Sequence, residues 1–352
     1  MSTTVSSSPA EASNSIVSRL SDWAQQWSGS WQRFWFTPAR PDWLCVLRIL
    51  VGAMLVYSHL VWAGSLSAFM GADAWIDNEV ARQLHDGTFS DSTAARSYLW
   101  KIDSPGLLAA HHAFTIAVMV LVTIGLGTRL VLPLAVLLQL MYLHRLTGML
   151  FGLDQIVTYM AMYLALSPCG SRFSIDAMLR ERWKERMQRS PLLRWLLPAC
   201  QPTVMANVAT RLWQIHVCVI YLFGGLAKAR GETWWDGTAM WYAITNYEYQ
   251  SLDMTWLNRF PAILALLSTL TLFWEIFYVA LIWPRLTRPL VLALAVAVHA
   301  GIATTLGMMT FGSMMIVANA IFVSPNVIFK PSAGLSQASQ PSEQTGGSHQ
   351  SR

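Results

Sequence analysis

The chain has 352 residues, of which 54% are hydrophobic and 12% charged, with a mean hydropathy of +0.40 and a formal net charge of +5. Soluble domains carry about 25% charged residues. The composition therefore excludes a soluble enzyme, a disordered chain and a coiled coil, and leaves a polytopic membrane protein. The basic excess is no sign of nucleic-acid binding, because the Lys and Arg residues gather in a few loops, as membrane topology requires.

Residues 1–41 form a polar, amphipathic N-terminal segment, Ser-rich at first, with no apolar stretch of the kind that marks a cleavable signal peptide. Within it Trp23, Trp27, Trp31, Phe34 and Trp35 fall at near-helical spacing. That stripe suits either the membrane interface or a packing face of a helix bundle. Eight apolar runs follow, at 44–64, 107–126, 130–149, 152–168, 207–228, 261–283, 287–306 and 309–324. Crossing ~30 Å of hydrocarbon takes about 20 helical residues, and backbone in lipid must be helical to satisfy its own polar groups. The fold class expected is thus an all-α polytopic transmembrane bundle of about eight spans over residues 42–324. The fourth and eighth runs are short. The segment 325–352, rich in Ser, Gln and Gly, reads as a disordered tail.

With eight spans both termini share a side, and 17 of the Lys and Arg residues fall there against 7 on the other. The termini are therefore expected to be cytoplasmic, at the inner membrane if the source is bacterial. The loop 169–206, with RERWKERMQR at 180–189, is the strongest marker and suggests a short basic helix. The opposite end carries an acidic loop, 65–106, and an aromatic one, 229–260, which includes WWDGTAMWYAITNYEY at 234–249. This second segment reads as an aromatic belt or as a re-entrant helix roofing a cavity. The bundle thus has a basic end and an aromatic end.

Ionisable groups within spans usually have a partner or a task. Asp154, His216, Glu275 and His299 lie in apolar runs, while His111 and His112 begin the second run and His144 and Arg145 end the third. Arg48 reads as an anchor at the basic end. Glu275 and His299 suit a structural pair with each other or with an Arg, or a proton relay. Lys228 follows YLFGGLA, whose glycines permit close helix approach. It either snorkels to water or is held in a desolvated pocket, where a neutral amine acts as a base. Trp234, Trp235 and Trp241 would supply the dry roof. Cys45, Cys169, Cys200 and Cys218 show no metal-ligand spacing and read as apolar fillers, and no metal site is expected.

The string RLWQIHVCVIYLFGGLAKARGETWWDGTAMWYAI at 211–244, with LCVLRILVGAMLV at 44–56, LSPCGSRFSIDAML at 166–179 and FGSMM at 311–315, resembles the HTTM family, the membrane domain related to vitamin K-dependent gamma-carboxylase. The resemblance covers roughly residues 42–324. It implies that Lys228 is the base that deprotonates a reduced quinone of the vitamin K or menaquinone type, with His144 as a second catalytic candidate and the three tryptophans against the quinone. The family's lumenal β-rich substrate domain has no counterpart after residue 324, so the implied chemistry narrows to quinol oxidation or epoxidation, with a separate membrane or external protein as partner. The rival readings are a non-catalytic protein that binds lipid or quinone or assembles with a partner, and a small-solute transporter, which should show internal repeats that this sequence lacks.

Overall fold

The computed structural model describes residues 9–89, 97–146 and 148–329. Residues 1–8, Asp91, Arg96, Lys330 and the rest of the expected tail lie outside the described residues. The described chain is helical, with no strand; its one β-bridge joins Ala39 to Thr203. The fold is an all-α bundle, as expected.

In chain order, α1 is Pro9–Phe36, α2 Asp42–Ala63, α3 Leu66–Met70, α4 Asn78–Phe89, α5 Pro105–Ile124, α6 Thr128–Arg145 and α7 Gly152–Ala165. A run of short helices, α8 Ile175–Arg182, α9 Lys184–Arg189 and α10 Pro191–Leu196, forms the basic loop, so the expected basic helix is broken at Trp183. Then come α11 Val204–Ala229, α12 Glu232–Trp235, α13 Ala239–Ile244, α14 Pro261–Leu281, α15 Arg288–Thr305, α16 Met309–Asn319 and α17 Pro325–Ile328.

Each of the eight apolar runs is a helix. Five of them, α2, α5, α11, α14 and α15, are long and apolar enough to cross a membrane. The other three are polar at their ends or short: α6 holds Arg129, His144 and Arg145 within its 18 residues, α7 has 14 residues and α16 has 11. One core runs through all eight, from Leu47 and Val51 on α2 to Tyr278 on α14 and Met315 on α16. Residues 325–329, assigned to the tail from composition, are folded: Phe329 packs its ring at 5.8 Å from Trp43.

The basic end is locked by buried polar groups. Arg48, expected as an interfacial anchor, is instead fully buried and donates to the carbonyls of Cys169, Val122, Thr123 and Phe173. A guanidinium presents five donors in a fixed fork, enough for these four carbonyls, where a Lys ammonium has three. Gly125 ends α5 at φ +73°, and a Cβ there would lie 2.5 Å from Arg48 Nη1, so the arginine's site requires a glycine. Asp176 joins the α5–α6 turn by accepting from the Gly127 and Thr128 amides at 2.7 and 2.9 Å and from the Thr128 hydroxyl at 2.7 Å. The last turn of α1 docks on α11, where Asn207 Nδ2 donates to the Phe34 and Trp35 carbonyls and Arg211 lies over the Phe34 ring. The Trp stripe divides: Phe34 and Trp35 pack toward the bundle, as the packing-face reading expects, while Trp23, Trp27 and Trp31 are exposed.

Candidate functional site

The site is set by how α11 meets α14. Gly225 permits the approach: a Cβ there would lie 2.8 Å from Ile276 Cγ1 and 2.9 Å from the Ile276 backbone nitrogen. The two helices are offset along their axes. Lys228, one residue from the end of α11, reaches Glu275, fourteen residues into α14 and so about 21 Å from its first residue at 1.5 Å per residue. Lys228 Nζ donates to both Glu275 oxygens, at 3.0 and 2.7 Å. The carboxylate side chain is 11% exposed and the lysine 30%.

The chain then turns back, and α12 and α13 run along the first turns of α14. Ser268 accepts from the Met240 amide at 3.0 Å and donates to the Gly237 and Leu264 carbonyls. The aromatic loop is therefore packed against a span. Of the three tryptophans expected around the amine, only Trp234 reaches it, with its ring 5.6 Å from Nζ, a cation–π contact. Trp235 donates its indole hydrogen to the Ala229 carbonyl at 2.7 Å and meets Phe273 edge-on. Trp241 packs into a satellite core with Ile244, Leu257 and Leu264. His144 stands on α6, which packs against α5 and α7, and it is not assembled with Lys228.

Glu275 and His299 do not pair with each other. Glu275 takes Lys228, and His299 Nε2 meets the Tyr221 hydroxyl at 2.8 Å. Asn319 Nδ2 donates to that same hydroxyl at 2.7 Å, and its Oδ1 accepts from Tyr278 at 2.6 Å. Behind the ion pair there is thus a buried polar line, His299–Tyr221–Asn319–Tyr278, joining α15, α11, α16 and α14. Tyr221, Tyr278 and Asn319 were not singled out from the sequence. Asn319 carried the one available signal, an amide within an apolar run. Its two neighbours are tyrosines, which a hydropathy reading treats as ordinary core.

A cavity of about 1020 Å³ opens at the aromatic end, between α2, α7 and the start of α16, with Tyr57, Trp62, Phe151 and Phe311 among its walls. Phe311 also faces the His299 ring, at 5.9 Å between centroids. Asp154 sits on the rim as an α7 cap, its carboxylate accepting from the Phe151 amide at 2.9 Å. His216 lies elsewhere, its Nδ1 at 2.6 Å from the Tyr163 hydroxyl. Among the described residues no group of three or more His, Cys, Asp or Glu side chains is placed to hold a metal ion. Cys45, Cys169 and Cys218 are buried and free, and Cys200 is exposed.

No family model matches the chain, and no curated protein or solved structure is found similar to it. The apolar helices mark an integral membrane protein, and the lipid bilayer is its partner.

Proposed function

We propose that the chain is an eight-span membrane enzyme of the HTTM type with both termini in the cytoplasm. In this reading the Lys228–Glu275 pair takes a proton from an apolar, hydroxyl-bearing substrate, a reduced quinone of the vitamin K or menaquinone class. The observation that carries it is the pair itself, an ammonium and a carboxylate set far along α14 with an indole face over the nitrogen. Ionisable groups at such a depth are costly and point to function. Moving one proton from Nζ to the carboxylate turns a charged pair into a neutral one without changing net charge. The amine so freed can accept the substrate's hydroxyl proton. When the substrate then passes two electrons to dioxygen, the products are quinone and hydrogen peroxide; epoxidation yields the epoxide and water. The cavity bordered by Trp62 and Phe311 has room for an aromatic ring, but neither Lys228 nor Glu275 lines it, so the substrate's route to the amine is part of the proposal.

The alternative is a non-catalytic protein that binds lipid or quinone or assembles with a partner. It draws on the same contact, since an ion pair already neutralised needs no substrate to hold it in place. Oxygen uptake in liposomes supplied with reduced menaquinone or vitamin K hydroquinone separates the two. Lys228→Arg keeps the charge but offers no neutral amine near pH 7, and Lys228→Met removes the base. Under the enzyme reading both variants insert and lose quinol-dependent uptake. Wild-type rates equal to those of empty liposomes, with native-membrane partner proteins added, overturn it in favour of the binding role.

A further inference from the structure

A second buried polar cluster, behind Trp62 on the wall of the 1020 Å³ cavity, takes no part in the Lys228 site. It lies at the aromatic end of α2, α5 and α6. His59, His112, Thr115, Gln139 and Tyr142 are all at most 2% exposed. The Trp62 ring, on the cavity wall, covers it, stacking on Tyr142 at 5.9 Å and meeting His59 edge-on at 4.8 Å. Two buried imidazoles and a buried phenol, with the half-buried His111 beside them, cost more than the hydrocarbon side chains that would fill the same space.

The partners determine where the hydrogens lie. His112 Nε2 is 2.8 Å from the His59 carbonyl, which can only accept, so Nε2 carries a hydrogen. In the neutral ring Nδ1 is then bare, and the Tyr142 hydroxyl, 3.0 Å away, donates to it. Having spent its one hydrogen, Tyr142 accepts from His111 Nδ1, also at 3.0 Å. His111 Nε2 is then bare and takes the hydrogen of the Tyr98 hydroxyl at 2.8 Å. Tyr98 itself is 40% exposed on the turn Tyr98–Lys101. Every hydrogen in the series Tyr98, His111, Tyr142, His112 points inward.

The geometry points to a proton wire from the aromatic face to His112: we propose that Tyr98, His111, Tyr142 and His112 carry a proton from outer water into the bundle. One proton enters at Tyr98, each group passes on its own hydrogen, and His112 becomes an imidazolium that donates to Tyr142 and to the His59 carbonyl. No electron moves and no bond other than N–H and O–H is made or broken. The surrounding charged and titratable groups are few. On α2, His59 holds its Nε2 at 3.0 Å from Gln139 Oε1. On α5, Thr115 has the His111 carbonyl at 2.9 Å and the Tyr142 hydroxyl as its hydrogen-bond partners. On α6, His144 and Arg145 fill the last turn, and Arg145 donates to the Gly71 and Ile76 carbonyls, with Asp77 within electrostatic reach. On α4, Glu79 and Arg82 pair with each other. The site needs nothing from Lys228 and stands whether or not the enzyme reading does.

Two measurements on the full chain in nanodiscs test it. Imidazole nitrogen-15 spectra at neutral pH should show the Nε2–H tautomer at His112 and the Nδ1–H tautomer at His111; the reverse at either ring overturns the wire. In a pH jump from about 8 to about 5, infrared bands of the imidazolium should rise in a fast phase in the wild type and lose that phase in Tyr142→Phe. A variant as fast as the wild type overturns the proposal and leaves the cluster a structural lock. If Tyr142→Phe fails to fold, Tyr98→Phe, which removes the exposed entry hydroxyl, takes its place, and a fast phase retained there overturns the proposal.

Discussion

Removing either member of the Lys228–Glu275 pair should be costly, and by unequal amounts. Lys228→Met strands a carboxylate whose side chain is 11% exposed, with Gly224 beside it offering no donor. Breaking a buried pair costs ~3–5 kcal/mol, and the residual exposure places this case near the bottom of that range, at about 3 kcal/mol. Glu275→Gln leaves an ammonium on a side chain 30% exposed, which keeps Trp234 against it and can bend toward water. Its cost should be nearer ~1 kcal/mol, that of a partly solvated pair. The double variant leaves no stranded charge, so it should fall short of the sum of the singles by about 2 kcal/mol. Reversible unfolding in mixed micelles, followed by tryptophan fluorescence and circular dichroism, measures all three. If Glu275→Gln proves as damaging as Lys228→Met, or if the two effects add, the pair does not hold α11 to α14 as argued.

Gly225→Ala forces a methyl into the Ile276 backbone and should lower stability by about 1–3 kcal/mol, whereas Gly301→Ala on α15, with nothing within 4 Å, should be neutral or stabilising; the two melting temperatures in detergent check the contrast. Asp176→Asn replaces an acceptor of three hydrogen bonds by a group that opposes part of them, and should cost about 2–3 kcal/mol in the same unfolding assay. A reporter fused after Phe329 should read cytoplasmic and one inserted after Glu248 external; the opposite pair of results would reverse the orientation drawn from the basic loops.

The sequence alone determined the class of protein and the positions of its eight apolar helices, five of them long enough to cross a membrane, because backbone in hydrocarbon must satisfy its own polar groups. It also singled out Lys228, Glu275 and His299, since charge within an apolar run is conspicuous whatever the fold. It did not determine who partners whom. Glu275 meets Lys228 because α11 and α14 are offset along their axes and Gly225 lets them close, and no periodicity within either helix encodes an offset between them. His299 went to Tyr221 for the same reason. The tryptophans of 234–241 looked equivalent in composition, yet the turn at Arg230 aims Trp234 at the amine and sends Trp235 and Trp241 elsewhere. Arg48 reads as an interfacial anchor by position, and only the packing of Gly125 and the 169–173 turn around it makes it a buried clamp. The directed chain from Tyr98 to His112 joins three separate elements. Its residues are unremarkable one at a time, and the direction exists only once the His59 carbonyl fixes the first tautomer.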